Sequence, residues 1–359
     1  MRALPVVEVR AKRAVPVVEV RAKRASKPRL LTAALTVLLL TSLAPPASAK
    51  DVETRPSYAA PRLAPGHNAW VSVSVARLWL SPGSPRPVDR PALAQPVRFT
   101  QWLHALSLSQ RRGLYYLTPT EALLGDRVVV LQLRPHWAKV VVPSQPSQKH
   151  RRGYPGWVPR NQLTTQRPPV TDEEATVIRR TAWLRTDETA ATHVMPISIG
   201  TRLHVMGRIG RYVQVVTPLG ATRRILQGSV VLHPWGTPAL KPSRAGIVAT
   251  AKSFLGLPYL WGGLSGFGLD CSGLTWIDYR LHGIRIPRDA LPQSKHGRRP
   301  HPRRAGDLLF YGSPVHHVTM YLGHNQMIQA QGTGTRVKID PTSFPPLASE
   351  YAGARRYLP

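Results

Sequence analysis

The stretch LGLPYLWGGLSGFGLDCSGLTW, residues 255–276, contains the only cysteine in this chain of 359 residues. Glycine-rich sequence precedes Cys271, and apolar residues at helical spacing follow it as far as Leu281. These features predict a helix from Cys271 to Leu281, with Asp270 directly before it. In the first turn of a helix, unpaired backbone N–H groups and the helix dipole stabilise anions. We therefore expect the thiol to have a lowered pKa and to act as a thiolate nucleophile.

A thiolate nucleophile needs an imidazole to share its proton, and the stretch VHHVTMYLGHNQMIQAQ at residues 315–331 supplies one. His316 and His317 are adjacent on a predicted strand, so they point to opposite faces and only one of them can meet the helix. A short turn folds the chain back and brings Gln329 and Gln331 to one face beside a histidine. Either amide could accept a hydrogen bond from the ring. The periodicity leaves both choices open.

The composition is that of a basic, globular chain. Lysine and arginine number 49 against 18 aspartate and glutamate, which gives a net charge of +31, and 42% of the residues are hydrophobic. This charge favours polyanionic surroundings such as nucleic acid, anionic lipid or an anionic cell-wall polymer, and by itself it does not choose among them. The basic residues form scattered doublets without an aromatic and basic platform, so we expect no nucleic acid partner. A single cysteine excludes an intramolecular disulfide, and its thiol is either buried and inert or reactive.

A secretory signal is predicted at the start of the chain. Residues 30–42 form an uncharged run after a basic stretch, and small residues follow at Ala47 and Ala49. This arrangement predicts a leader over residues 1–49 that is cleaved after Ala49. The run is shorter than the roughly 20 residues that a spanning helix needs, so no stable membrane span is expected. We expect the mature protein to be secreted or periplasmic, in the cell envelope.

Three segments follow a predicted linker at residues 50–66. Residues 67–166 and 170–236 each contain short alternating strands punctuated by proline and glycine, the pattern of a small β-barrel. A helical or irregular insertion is predicted in the first of them, near FTQWLHALSL. Residues 246–359 begin with helical patterns and continue with strands joined by short turns. This order predicts an α+β domain with an antiparallel meander.

Six motifs occur in order in the last segment: PYLWGG, DCSGL, IPRD, GDLLFYG, HVTMYLG and MIQA. In this order and spacing they resemble the NlpC family of papain-like cysteine peptidases, which cut cell-wall peptides. With two SH3-like units in front, GYPGWVP in the first and a closing YAGARRYLP, the chain is also similar to the three-domain γ-D-glutamyl-L-diamino acid endopeptidases. The resemblance implies an α+β papain-like (NlpC-type) catalytic domain over residues 246–359, preceded by two all-β SH3-like barrels.

The resemblance assigns catalytic residues by position. It makes Cys271 the nucleophile, His317 the base and Gln329 the residue that orients the imidazole ring. Many relatives have a histidine at this third position, so the glutamine is a departure. A neutral amide can fix the ring but cannot adjust its charge. The implied reaction is attack on the carbonyl that joins the D-glutamate side chain to the diamino acid, followed by hydrolysis of the thioester.

The resemblance also implies a pocket for substrates with a free N-terminal L-alanine, whose ammonium group requires a carboxylate partner. Asp270 is the implied anion, assisted by Tyr259 and Ser272, and its alternative role is to cap the helix. Asp289 matches a second pocket position, although alanine follows it where relatives have serine. Tyr154, in GYPGWVP, matches a tyrosine of the first barrel that closes the site against longer, glycan-linked chains.

We expect no cofactor and no metal, because the histidines between residues 296 and 324 fit no zinc motif. Peptidoglycan-derived peptides are the expected partners. An endopeptidase that remodels intact peptidoglycan and a wall-binding protein without catalysis are the alternative functions, since export and positive charge fit both. These residues leave open whether the diamino acid is diaminopimelate or lysine.

Overall fold

The computed structural model describes residues 62–358 of the chain. The predicted leader, its cleavage point after Ala49 and most of the predicted linker at residues 50–66 lie outside the described residues. None of the helices within residues 62–358 has the length and hydropathy required to cross a bilayer.

The first β-unit contains a five-stranded antiparallel sheet and a separate pair of strands. Its strands are β1 (Asn68–Val71), β2 (Val75–Leu78), β3 (Thr120–Leu123), β4 (Arg127–Leu133), β5 (Trp137–Val142), β6 (Tyr154–Pro159) and β7 (Leu163–Thr164). The sheet has the order β6-β5-β4-β1-β7, and β2 pairs with β3. The predicted strand over residues 70–80 is interrupted at residues 72–74. The chain changes sheets at this break, which forms a corner of the barrel.

The insertion between β2 and β3 is helical. It contains α1 (Arg90–Leu93), α2 (Phe99–Ala105) and α3 (Leu108–Gly113), with 3-10 turns at Pro87–Asp89 and Leu114–Tyr116. Ser107 caps α3, because its Oγ accepts from the Gln110 backbone N–H at 3.2 Å and the Gln110 side chain accepts from the Ser107 N–H at 2.9 Å. The buried Trp102 indole of α2 donates to Asp89 at 2.8 Å. The helical form of the predicted insertion is thus confirmed.

The second β-unit is a single antiparallel sheet with its own core. Its strands are β8 (Glu173–Val177), β9 (Thr181–Arg185), β10 (His193–Ser198), β11 (Arg202–Ile209), β12 (Tyr212–Val216), β13 (Thr222–Leu226) and β14 (Val230–Pro234). Their order in the sheet is β10-β9-β13-β12-β11-β8-β14. Inward-facing residues such as Val177, Leu184, Val213 and Ile225 form the core. The all-β prediction for this unit is confirmed.

The last segment has the predicted order, with helices before an antiparallel meander. Its elements are α4 (Arg244–Ser253), β15 (Leu264–Ser265), β16 (Gly268–Leu269), α5 (Cys271–Leu281), α6 (Ala290–Lys295), β17 (Leu308–Tyr311), β18 (His317–Gly323), β19 (Gln326–Gln329), β20 (Lys338–Pro341) and β21 (Tyr351–Arg355). The main sheet has the order β20-β19-β18-β17-β21. The bounds of α5 agree with the predicted helix. Five further elements, β15, β16, α6, β20 and β21, have no counterpart among the predicted ones.

A two-residue turn joins β18 to β19. His324 and Asn325 have φ angles of +48° and +56°, the left-handed conformation that a tight hairpin turn requires. The turn confirms the predicted hairpin and sets a register in which Met320 pairs with Ile328. Because α5 packs on β18, this register decides which polar side chains of the hairpin lie near the start of α5.

One hydrophobic core runs through the first barrel and the last segment. Trp157 of β6 and Ile277 of α5 both belong to it. The second barrel has a core of its own to which Leu124 of the first barrel is added, while Ile199 of the second barrel belongs to the shared core. The strands of the two barrels lie within the predicted segments 67–166 and 170–236, whereas α4 begins at Arg244, two residues before the predicted start of the last segment at residue 246. Since the first barrel shares buried surface with the last segment, its side chains can form part of a site there.

Candidate active site

The residues around Cys271 form the start of α5. Asp270 is the N-cap, and its Oδ1 accepts from the backbone N–H of Gly273 at 2.6 Å. Only glycine fits at position 273, because a Cβ atom there would lie 2.0 Å from the carbonyl oxygen of Gly263. The same carbonyl accepts from the Asp270 backbone N–H at 3.0 Å. The glycine-rich loop therefore packs on the first turn and holds Cys271 at the helix start.

Burial governs the protonation of the Cys271 thiol. The residue is 8% exposed, and its burial, together with the charge of Asp270, raises the pKa of the thiol to about 12. A hydrogen bond from the backbone of Val318, the charge of Arg288 and the backbone of Ser272 lower this pKa without cancelling the rise. The predicted lowering of the thiol pKa is therefore wrong. Desolvation of a buried sulfur outweighs the stabilisation that a helix start offers to an anion.

His317 is the first residue of β18, and its imidazole is buried. Its Nε2 lies 2.8 Å from Oε1 of Gln329. Burial lowers the pKa of the imidazole to about 4, although the hydrogen bond to Gln329 acts in the opposite direction. The next residue, Val318, makes the backbone bond to Cys271, so strand and helix meet at the sulfur. Burial thus favours an uncharged thiol beside an uncharged imidazole.

The strand register selects between the candidate histidines and glutamines. The His316 side chain is 62% exposed and lies 3.2 Å from Glu350 through its Nε2, whereas His317 is buried. In the β18–β19 register His317 stands opposite residue 331, beyond the end of β19, and Gln329 lies diagonally on the same face. The diagonal amide reaches the ring, so His317 and Gln329 are the pair that meets.

A carboxylate that sequence reasoning missed lies behind Gln329. The Gln329 Nε2 donates to Oδ2 of Asp340 on β20 at 2.6 Å. The Nζ of Lys338 lies 3.2 Å from the other carboxylate oxygen. Because β20 has no counterpart among the predicted strands, no sequence signal pointed to either residue.

A buried arginine, also missed from the sequence, lies beside the helix start. Arg288 donates to the two carboxylate oxygens of Asp270 at 3.0 and 2.9 Å, and to Oγ of Ser272 at 2.9 Å. Its Nε donates to Thr120 Oγ1 of the first barrel at 3.0 Å. Burial alone lowers the pKa of this guanidinium, but the charge and hydrogen bonds of Asp270 outweigh it and raise the pKa. The IPRD motif contained a signal for this contact, because Arg288 is its second charged residue and a buried charge requires a partner.

The first barrel extends a tyrosine to the other carboxylate of the motif. The Tyr154 hydroxyl donates to both oxygens of Asp289 at 3.1 Å. Lys149 contacts the same hydroxyl, and its Nζ lies 3.3 Å from Asp289. Burial and the charge of Asp289 raise the pKa of Tyr154. The Asp289 side chain remains 32% exposed, so it is the carboxylate of this region that solvent and a ligand can reach.

Tyr259 and Ser272 complete the set of predicted side chains. Tyr259 is buried, and its burial, followed by the electrostatic influence of Cys271 and Asp270, raises the pKa of its phenol. The Ser272 hydroxyl donates to Asp270 at 3.3 Å and accepts from Arg288. The predicted site residues therefore lie together around the start of α5.

Comparison with known proteins gives separate family matches for the last segment and for the second barrel. Residues 256–356 match the NlpC/P60 family, and residues 177–231 match the YKFC SH3b2 domain. The chain is 36% identical over 304 residues to the gamma-D-glutamyl-L-lysine dipeptidyl-peptidase of Bacillus cereus, covering 81% of this chain and 91% of that protein. The chain belongs to the NlpC/P60 family.

Two further relatives cover most of this NlpC/P60 protein. The Bacillus subtilis protein named gamma-D-glutamyl-L-lysine dipeptidyl-peptidase is 35% identical over 275 residues, covering 74% of this chain and 90% of that one. A crystal structure of an NlpC/P60 family protein from Bacillus cereus has a TM-score of 0.76 at 35% identity, covering 82% of this chain and 100% of the other. The predicted family and fold class are confirmed, and the protein is a hydrolase of the cysteine-peptidase type.

The loop before Cys271 is braced by an ion pair of the first barrel. Arg77 and Glu121 are both fully buried and lie 2.8 Å apart. The second carboxylate oxygen of Glu121 accepts from the backbone N–H of Leu264 at 3.0 Å, and Arg77 donates to the carbonyl of Trp261 at 2.7 Å. Sequence reasoning missed both residues, although charged positions inside apolar strands were a signal for a buried pair.

Proposed function

We propose that this NlpC/P60 protein hydrolyses the γ-D-glutamyl–diamino acid bond of cell-wall peptides that carry a free N-terminal L-alanine. The observation that carries the proposal is that His317 is bonded to Gln329 while the backbone of the next residue, Val318, is bonded to Cys271, and that Tyr154 of the first barrel is bonded to Asp289 nearby. The Bacillus relatives named gamma-D-glutamyl-L-lysine dipeptidyl-peptidase, alike over 90% or more of their length, support this bond as the target.

The mechanism starts from the uncharged pair. The Cys271 sulfur attacks the scissile carbonyl while its proton passes to Nδ1 of His317, whose Nε2 is bonded to Gln329. The backbone N–H of Cys271, at the start of α5, is a donor for the oxyanion that forms. His317 then returns the proton to the leaving amine, and the C–N bond breaks to leave a thioester. Water hydrolyses the thioester and restores the thiol.

The substrate ammonium binds, in this proposal, on the side of the pocket that holds Asp270 and Asp289. Asp270 is already paired with Arg288, so its charge is largely balanced. Asp289 is partly exposed and contacts only hydroxyl and ammonium donors, Tyr154 and Lys149, among its side-chain partners in the described residues. Tyr259 and Ser272 line the pocket between these carboxylates and the sulfur.

Short released peptides fit the site better than polymeric wall. Tyr154 is buried and bonded to Asp289, so the first barrel closes one end of the pocket. A glycan-linked peptide would have to displace this contact. The runner-up function is an endopeptidase of intact peptidoglycan. The proposed export after Ala49 favours it, as does the charge of +24 (40 basic against 16 acidic residues) that remains without residues 1–49, through attachment to anionic wall polymer.

Side-by-side digestion separates the two functions. Purified sacculi and free L-Ala-γ-D-Glu peptides ending in diaminopimelate or lysine are incubated with the protein, and mass spectrometry identifies the bond that is cut. We expect the free peptides to be cleaved after D-glutamate far faster than sacculi. Cys271→Ala should abolish cleavage while leaving the unfolding transition unchanged. Retained cleavage by this variant, or faster release from sacculi, contradicts the proposal.

The resting protonation of the nucleophile has its own test. Because burial raises the pKa of the thiol, iodoacetamide should label Cys271 at a rate that rises about tenfold per pH unit from pH 7 to 9. Cys271→Ala is the blank, since the chain has no other cysteine. A rate that is already constant from pH 5 upward indicates a thiolate–imidazolium pair and contradicts the uncharged pair.

A further inference from the structure

A row of polar side chains crosses adjacent strands of the main sheet behind the sulfur. Gln329 of β19 pairs directly with Lys338 of β20, and the alternation of side chains along β20 brings Asp340 to the same face. His317, Gln329 and Asp340 are joined by hydrogen bonds of 2.8 and 2.6 Å. The histidine is therefore connected to a carboxylate through a neutral amide.

The amide is the member of this row that could adopt two orientations. Its oxygen only accepts and its nitrogen only donates, while the two ends have nearly the same size. A carboxylate only accepts, so Asp340 requires the nitrogen of Gln329 on its own side. The oxygen then faces His317, and an accepting oxygen requires that Nε2 carry the ring proton. Nδ1 is left as the acceptor of the ring.

The burial of Gln329 and the contacts of Asp340 hold the amide in this orientation. Gln329 is almost completely buried, so water is a poor substitute for either of its partners. Asp340 is itself held, because Lys338 lies 3.2 Å from its free oxygen and the same ammonium lies 4.4 Å from the centre of the Phe344 ring. The Asp340 carboxylate is therefore held in one orientation, and its hydrogen bond fixes the orientation of the Gln329 amide.

We infer that Asp340 is a positioning residue for catalysis: it fixes the Gln329 amide and thereby keeps His317 as the Nε2–H tautomer, with Nδ1 free to take the thiol proton. The inference rests on the proposed function, because it assumes that His317 is the base for Cys271. It also explains how glutamine can serve where many relatives have histidine. The Asp340 carboxylate fixes which end of the Gln329 amide faces His317, and an amide without such a partner could present either end.

Asp340→Asn is the decisive variant, because it keeps the shape of the side chain and adds a donor. The amide introduced by this substitution can donate to a flipped Gln329 oxygen, which would turn the Gln329 nitrogen toward His317 and favour the Nδ1–H tautomer. We expect kcat to fall about 10- to 100-fold with KM within twofold of wild type. In ¹⁵N-histidine NMR spectra, assigned with a His317→Gln sample, the His317 signals should change from the Nε2–H to the Nδ1–H pattern.

Glu350→Gln is the matched control for charge. Glu350 also acts on His317 electrostatically, but its side chain contacts the exposed His316 instead of Gln329. This variant should keep kcat within twofold and leave the tautomer unchanged. An equal loss of kcat in Glu350→Gln and Asp340→Asn reduces the effect to charge alone and overturns the inference.

A second variant keeps the test decisive if Asp340→Asn is unstable. In Gln329→Glu/Asp340→Asn, the carboxylate at position 329 accepts in either orientation, so the Nε2–H tautomer returns and kcat should recover to within about tenfold of wild type. No recovery, or a kcat of Asp340→Asn within twofold of wild type, overturns the role of Asp340. Activity retained by His317→Gln instead counts against the proposed function, so the two failures are distinguishable.

Discussion

The two barrels have similar architecture but contact the catalytic domain in different ways. The first shares a continuous hydrophobic core with it and sends charged and polar side chains to the loop before Cys271 and to Arg288. The second has its own core; its buried Ser198 hydroxyl accepts from the Gly266 backbone N–H at 2.9 Å, and its Arg180 donates to the backbone carbonyls of Ser253 and Leu255 at the end of α4.

The difference shows how a barrel becomes part of an active site. Buried charges are tolerated only when they are paired, so the contacts of Glu121 and Arg288 demand one arrangement of barrel and catalytic domain. Exposed hydrogen bonds to carbonyls, like those of Arg180, hold two units together without dictating the geometry of a distant site. The first barrel thus contributes buried charges to the surroundings of Cys271, whereas the second contributes a neutral buried contact at Gly266 and exposed hydrogen bonds.

The largest effect is expected at the buried ion pair of the first barrel. Glu121→Ala leaves the Arg77 charge unpaired and the Leu264 N–H without its acceptor, which should lower the free energy of unfolding by about 3–5 kcal/mol. Chemical denaturation measures it. Glu121→Gln keeps an acceptor for the Leu264 N–H, so its free energy of unfolding should fall by less than that of Glu121→Ala. Equal stability of Glu121→Ala and wild type would break the comparison, because the first barrel would then be as loosely joined as the second.

The next effect concerns the guanidinium that links barrel and pocket. Arg288→Lys keeps the charge but cannot bond both oxygens of Asp270 and also reach Thr120. We expect kcat/KM for a free peptide to fall about 10- to 100-fold, from the loss of roughly 1.5–3 kcal/mol of charged hydrogen bonding. Arg285→Lys is the matched control, since Arg285 donates to the Pro143 carbonyl of the same barrel. A similar loss of kcat/KM in both variants would show that any arginine of this interface has the effect, and that the pairing of Arg288 with Asp270 does not explain it.

A smaller effect is expected at the pocket wall. Tyr154→Phe removes the donor to Asp289 and should raise KM about five- to tenfold with kcat nearly unchanged, since a hydrogen bond of about 1 kcal/mol is lost away from the sulfur. Steady-state kinetics on the free peptide measures this split. Tyr212→Phe, in the second barrel, removes a hydroxyl without reaching the pocket and should leave KM unchanged. A fall in kcat alone would contradict a role of Tyr154 in substrate binding.

The smallest effect is expected at the contact of the second barrel. Arg180→Ala removes two hydrogen bonds from an exposed side chain, so the free energy of unfolding should fall by less than about 1 kcal/mol and kcat/KM should stay within twofold. Arg179→Ala is the control, because Arg179 donates to the Gly228 carbonyl of the same barrel and, within residues 62–358, makes no such bond to the catalytic domain. A tenfold loss of activity in Arg180→Ala alone would mean that the second barrel also shapes the site.

Local features of the fold could be predicted, and long-range polar contacts could not. The bounds of α5 and the turn at His324 and Asn325 follow from spacing and turn chemistry within a few residues. Arg288 and Glu121 acquire their roles from partners far away in the chain, and Asp340 depends on a strand without a clear sequence pattern. The sequence analysis named none of these three residues, because a charged residue in apolar surroundings signals a buried pair without identifying its partner.

The amino-acid sequence by itself determined the helix that begins at Cys271, its cap at Asp270, and the family, since short-range spacing and motif order carry that information. Only the tertiary structure decided that burial raises the pKa of the thiol, that Gln329 meets His317, and that Asp270 is already paired. Electrostatic free energy depends on distance and on exclusion of water, and both arise when segments far apart in the chain pack together.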